Sequence, residues 1–252
     1  MIQVLERFNH IMHYVANHPE RPCRIKELRE LLGVSQPTCS NIVRSMVELN
    51  YLEPAPNGGG YILGPCPSLL VRHGTYKQYL VKVAEPLLES LVERINETCL
   101  ITSLSNGKRV VLLSRESRRS VQSGNADVLT GNLTATATGT IMLAYMAPPE
   151  LEAYIAQNPF SGSVLDGVGN WRELKGRLPL IRSQQCCWHV SGERLDQRAA
   201  LAVPIMNHGR LEAVLGCWLP GLRFTDANRH ALISECSETA RAITRQVERI
   251  CQ

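Results

Sequence analysis

Hydrophobic positions recur every three to four residues over the first fifty residues, then give way to short alternating runs. Val4, Leu5, Phe8, Ile11, Met12 and Val15 predict a helix over residues 3 to 18, broken by His18-Pro19-Glu20-Arg21-Pro22. Ile25, Leu28 and Leu32 predict a second helix, and Gly33 stands where a helix commonly stops with a residue at positive φ. Ser35 supplies an N-cap oxygen for a third helix, and Pro37 falls in its first turn, where a missing N–H costs nothing. Cys39, Ile42, Val43 and Met46 form the inward stripe of that helix. Its other face is Gln36, Thr38, Ser40, Asn41, Arg44 and Ser45, polar and mostly short. Tyr51-Leu52-Glu53 and Tyr61-Ile62-Leu63 then read as strands joined by Asn57-Gly58-Gly59-Gly60, a turn suited to positive φ.

Gly64-Pro65-Cys66-Pro67 is a stiff junction, and the domain boundary is placed there: a first domain over 1–66, a linker helix over 67–79, and a second domain over 80–252. Val81, Val83, Ala84, Leu87, Leu88, Leu91 and Ile95 predict a long amphipathic helix from Leu80 to Thr98. A hairpin follows, with strands at 99–105 and 110–114 around Asn106-Gly107. Helices are expected at 137–147, 148–157 and 171–183, strands at 186–191, 199–206 and 211–219, and a closing helix at 225–250. The fold class is α+β, with an α/β second domain built on antiparallel hairpins.

Helix, tight turn, helix and strand pair is the order of a winged helix-turn-helix, which places its second helix in the DNA major groove. Helix pairs around a Gly turn also occur in domains that touch no nucleic acid; the hairpin directly after the pair favours DNA. The expected contacts are Arg24, Lys26, Ser35, Gln36, Thr38, Ser40, Asn41 and Arg44, with Asn57, Gly58 and Tyr61 of the wing gripping flanking backbone. Charge is a weak guide. The chain carries a net +4, yet residues 1–75 hold seven Arg or Lys against six Glu, a balance of +1. Phosphate neutralisation therefore has to come from charge placement and from pairing of copies.

With 44% hydrophobic residues the chain can bury real cores, and no apolar run reaches the roughly 20 residues of a membrane span. The N-terminus, charged and amphipathic, does not read as a signal peptide. Nine scattered cysteines with no C-x-x-C pair argue against disulfides and a zinc site, and for a reducing cytoplasm. No metal or other cofactor is expected. Cys186-Cys187-Trp188-His189 is the one cluster that invites thiol chemistry, since Cys187 and His189 share a strand face at i, i+2. The plainer reading is two buried cysteines and a strand-edge histidine. Glu193 and Asp196 make no acid/base pair, and His10, His13 and His18 lack partners at metal-ligand spacing.

The strings LRELLGVSQPTCSNIVRSMVELNYLEP and YILGP, then LTATATGTIMLAYMAPPELEAYI, ERLDQRAALAVPI and LEAVLGCWLPGLRFT, resemble the IclR-type bacterial transcriptional regulators in order and spacing. That resemblance implies a GAF-like effector domain, a homodimer or homotetramer, and binding to an operator, as repressor or activator, modulated by a small carboxylate or aromatic molecule. Transferred residue by residue, it implies effector contacts at Thr136, Ala137, Thr138, Met142, Val190, Glu193, Ala200, Gly216 and Trp218. The chain departs from the family's polar pattern at Val190, Ala200, Gly216 and Trp218. Two readings stay open: an apolar or aromatic effector fixed by Thr136 and Thr138, or a cavity filled by Trp218 in a domain that serves oligomerisation.

Overall fold

The computed structural model describes residues 2–73, 76–118, 129–192 and 197–251. The chain divides into two compact units, Met1–Tyr76 and Lys77–Gln252.

In the first unit, α1 spans Gln3–Ala16, α2 Ile25–Leu32 and α3 Gln36–Glu48. Leu28 from α2, Cys39, Val43 and Met46 from α3, and Ile11 and Val15 from α1 close one core. Val4 and Leu5, expected on the inward face of α1, are exposed; the buried stripe starts only at Phe8, which packs edge-on against Tyr51. The Arg24 backbone N–H donates to Glu27 Oε2 at 2.7 Å and caps α2. Gly33 ends it at φ 62°. This reverses the chain within two residues so that Ser35 can cap α3, its Oγ accepting the Thr38 N–H at 3.4 Å.

Strands β1 (Leu52–Pro54) and β2 (Tyr61–Leu63) pair antiparallel. Cys23 adds a bridge to Tyr61 through two backbone hydrogen bonds of 2.9 Å. Gly58, Gly59 and Gly60 all take positive φ at the tip. The stiff junction turns out to be helical: α4 runs Pro65–His73, with its prolines in the first turn, where proline is accommodated.

In the second unit, α5 (Gln78–Ile95) leads into the hairpin of β3 (Thr98–Ser105) and β4 (Lys108–Arg115). Asn106 and Gly107 take φ of 49° and 70° in its turn. A two-residue strand, β5 (Leu129–Thr130), not anticipated from the sequence, pairs with β4. Then come α6 (Ala137–Tyr145), α7 (Pro148–Gln157), α8 (Trp171–Gln184), β6 (Cys187–Ser191), β7 (Arg198–Asn207), β8 (Arg210–Pro220) and α9 (Asp226–Ile250). The strands form one antiparallel sheet in the order β5-β4-β3-β8-β7-β6.

Both faces of its centre are covered. Leu201, Val203 and Ile205 of β7 and Leu215, Cys217 and Leu219 of β8 pack with α5 and α9. Ala202 and Val214, on the opposite face, pack with α6 to α8. Two-sided burial explains why β7 and β8 read as near-continuous apolar runs rather than as hydrophobic–polar alternation. Among the described residues no helix is long and apolar enough to cross a membrane.

The first unit's small core makes Leu28, 0% exposed, a sensitive position. Leu28→Ala should destabilise the first unit by about 2–5 kcal/mol. Thermal unfolding followed by circular dichroism should show a lowered first transition; an unshifted melt would contradict the packing described.

Candidate functional site

On helix α3, Gln36, Asn41, Arg44 and Ser45 are exposed to solvent and Thr38 and Ser40 partly so. Not all of these groups are equally free. Ser35 Oγ also bonds Thr38 Oγ1 at 2.9 Å, so this hydroxyl pair serves the helix start. Arg44 donates to Asn41 Oδ1 one turn back, which holds the guanidinium along the helix face. Arg24 and Lys26 are exposed at the start of α2, where Glu27 also pairs with Arg21 at 2.9 Å. The Arg24 backbone N–H and then the Arg21 guanidinium hold the Glu27 carboxyl below its usual range. Asn57 and Gly58 are exposed at the wing tip. Tyr61 differs from expectation. It is half-buried against the first unit's core and bonded to Cys23, so it anchors the root of the wing.

In the second unit the strand register builds a cavity. His189, Ala200, Trp218 and Thr98 are cross-strand neighbours in one row, and Cys187, Ala202, Gly216 and Leu100 in the next. Alanine and glycine in the middle of these rows leave a shallow floor, over which the first turn of α6 lies. A Cβ at position 216 would sit 2.7 Å from Thr138 Cγ2, so only glycine allows this approach. The result is a cavity of about 300 Å³, lined by Leu100, Arg109, Ala135, Thr136, Ala137, Thr138, His189, Ser191, Arg198, Ala199, Ala200, Leu201, Gly216, Cys217 and Trp218. Trp218 is therefore a wall and does not fill the space.

Six of the nine expected effector residues line this cavity: Thr136, Ala137, Thr138, Ala200, Gly216 and Trp218. Met142 does not; it is 1% exposed in the core shared by α6 and α8, more than a turn beyond the lining end of its helix. Val190 does not either. It lies inside β6 opposite Ala199, and strand alternation turns it to the α5–α9 face while His189 and Ser191 face the cavity. Glu193 lies outside the described residues. Sequence reasoning missed Arg109, Arg198, His189, Ser191 and Leu100. The alternation of β3 and β6 could have flagged Leu100 and His189, but no local signal brings Arg109 of β4 beside α6.

Two arginines line the cavity: Arg109 is 4% exposed, Arg198 stands at the rim, and no Asp or Glu is among the described lining residues. The N-terminus of α6 adds partial positive charge. Thr136 Oγ accepts the Gly139 N–H at 3.0 Å, and the Thr138 hydroxyl donates to Thr136 Oγ1 at 3.3 Å, so both threonines are oriented by the cap.

Thiol chemistry finds no support in the protonation states. Burial, then the neighbouring Cys186, pushes the Cys187 thiol up to about 12. Burial also lowers the His189 imidazole below its usual value, with Asp166 opposing. Both groups are held neutral, the reverse of a thiolate–imidazolium pair.

One unit thus presents an exposed polar helix beside a wing, and the other holds a cavity of ligand size. Comparison with known proteins assigns the family. Residues 73–245 match the family model described as bacterial transcriptional regulator IclR C-terminal, and residues 10–60 match a MarR family model. The chain belongs to the IclR-type family of bacterial transcriptional regulators, which are transcription factors and not enzymes. It is 26% identical over 156 residues to the HTH-type transcriptional regulator TtgV of Pseudomonas putida, a match covering 62% of this chain and 59% of that one. It is 22% identical over 250 residues to the regulator XynR of Escherichia coli, covering 97% of each. Among solved structures, an IclR homolog from Microbacterium hydrocarbonoxydans complexed with 4-hydroxybenzoate superposes with a TM-score of 0.79 at 19% identity, covering 98% of this chain and 99% of that one.

With the Cys186 and Cys187 thiols both pushed up to about 12, only about one part in ten thousand is thiolate at pH 8. Iodoacetamide labelling of the native protein at pH 8, read by mass spectrometry, should modify exposed Cys251 and spare Cys186 and Cys187 until the protein is unfolded. Rapid native labelling of Cys187 would restore the thiol reading.

Proposed function

We propose that this protein binds a DNA operator through α3 and the wing and adjusts its affinity through a small aromatic or apolar carboxylate held in the cavity. The single observation that carries the ligand class is the composition of that cavity. It joins a buried arginine and a helix N-terminus to a floor of alanine and glycine and an indole wall. A flat ring suits the floor and Trp218, and a carboxylate suits Arg109, Arg198 and the α6 terminus. The 4-hydroxybenzoate in the Microbacterium relative is a compound of this type. We read the second unit as GAF-like, with a three-layered arrangement of helices on both faces of an antiparallel sheet.

Gln36, Thr38, Ser40, Asn41 and Arg44 are the groups offered to base edges and phosphates, and Arg24, Lys26, Asn57 and Gly58 those offered to flanking backbone. Two copies acting together double the modest positive charge. Exposed apolar side chains on the first unit, including Val4 and Leu5 of α1 and Leu69, Leu70 and Val71 of α4, support a homodimer or a homotetramer of dimers. A DNA partner supports the reading that this protein works in the cytoplasm.

Electrophoretic shifts with genomic fragments should yield a salt-sensitive specific complex. Gln36→Ala combined with Asn41→Ala should weaken it at least about ten-fold, with circular dichroism unchanged; retained specificity would refute the groove assignment. For the cavity, tryptophan fluorescence should report benzoate binding about ten-fold tighter than benzamide. Ala200→Leu should abolish both signals. Equal affinity for acid and amide would exclude a carboxylate effector.

A further inference from the structure

Strand β8 carries two features that the effector reading leaves unconnected. Its C-terminal half supplies Gly216 and Trp218 to the cavity. Its N-terminal half contains a break in the ladder: Ile205 pairs with Ala213, but Met206 pairs with Leu211, so Glu212 is an extra residue. Such a bulge re-aims the side chain it inserts. Glu212 is turned to Lys77, whose Nζ donates to Glu212 Oε1 at 2.6 Å and to the Glu212 backbone carbonyl at 2.8 Å. The Tyr79 hydroxyl donates to the same Oε1, and Asn207 Nδ2 reaches Oε2 at 3.4 Å. The ion pair is mostly shielded, with side-chain exposures of 22% and 15%.

Lys77 is no ordinary anchor. It is the first residue of the second unit and the N-cap of α5. Its backbone lies at φ 49° and ψ 29°, the left-handed region that L side chains rarely adopt. Holding it there requires surroundings that over-determine the conformation, and the two bonds to the bulge provide that. The strand that walls the cavity is thus tied, through one bulged residue, to the point where the chain arrives from the DNA-reading unit.

Building on the effector reading, we infer that Glu212 and Lys77, supported by Tyr79, are positioning residues that couple the state of the β8 cavity wall to the root of α5. Movement of Gly216 and Trp218 around a ligand shifts the register-broken segment at 212. That segment either holds Lys77 in its left-handed conformation or releases it. Both conformations of the chain entry point are then biased by the cavity, which is what coupling between two sites requires.

The test is hydrogen–deuterium exchange on the full-length protein with no ligand. Lys77→Met and Glu212→Gln should each raise exchange about ten-fold in peptides covering 214–219, as well as at 77–82. Lys77→Arg, which keeps a cation and its donors, should retain protection. Arg94→Ala cuts a different α5 tie, to Glu235 of α9 at 2.9 Å, and should leave 214–219 unchanged. Extra exchange confined to 77–82 and 210–213 in both variants would make the pair a local anchor and overturn the inference. So would an equal loss of protection at 214–219 in Arg94→Ala. Benzoate titration of the unsubstituted protein tests the cavity separately: absence of binding removes the effector reading, while the exchange pattern decides the coupling without any ligand.

Discussion

The close approach of α6 to the middle of the sheet depends on the absence of a side chain at position 216. A Cβ there would lie 2.7 Å from Thr138 Cγ2 and 3.1 Å from Leu100 Cδ1. With Ala200 and Ala202 on the neighbouring strand, Gly216 keeps the floor low on the α6 face. The opposite face of the same two strands is filled by Leu201, Leu215 and Leu219 against α5 and α9. One face of the hairpin thus carries packing, and the other carries a cavity of about 300 Å³. This asymmetry lets a sheet buried on both sides still enclose a cavity of ligand size. Larger residues in the central positions would turn the cavity into core.

The first unit faces a different constraint. Its core is built from few side chains, so the turn between α2 and α3 must place both helices against α1 within a few residues. Gly33 and the Ser35 cap accomplish this, and they leave the outer face of α3 covered by short polar side chains. Arg44 is the one basic residue on that helix. In the proposed reading, specificity rests on hydrogen-bonding groups, with phosphate attraction supplied by the basic residues of α2 and by a second copy.

Much of this architecture was legible in the sequence. The stripe of Cys39, Val43 and Met46, the Gly33 stop, and the Asn106-Gly107 turn each rest on local rules of spacing or φ, and each matches the structure within a residue or two. Errors arose where a local rule met tertiary context. Val4 and Leu5 fit the helical period yet have no core above them. The prolines after Gly64 read as a rigid break and instead open α4. Six residues placed by resemblance line the cavity, but Val190 is one residue out of phase, and strand alternation carries it to the other face. Met142 is on the right helix, more than a turn too deep.

By itself the sequence determined the order and type of the longer elements, the polar face of α3, and the family pattern that makes an effector site expected. Those properties depend on neighbours within a few positions along the chain. Tertiary structure decided which strands lie side by side, and with that the chemistry of the cavity. Arg109 of β4 and Arg198 of β7 are 89 residues apart, taking 198 less 109, and reach one cavity only because the sheet order is β4-β3-β8-β7. The Glu212 bulge is equally invisible in the sequence, since an extra residue in a strand shows itself only against the partner it fails to match. Periodicity tells a side chain which face of its own element to take; only the register between elements tells it what it will meet there.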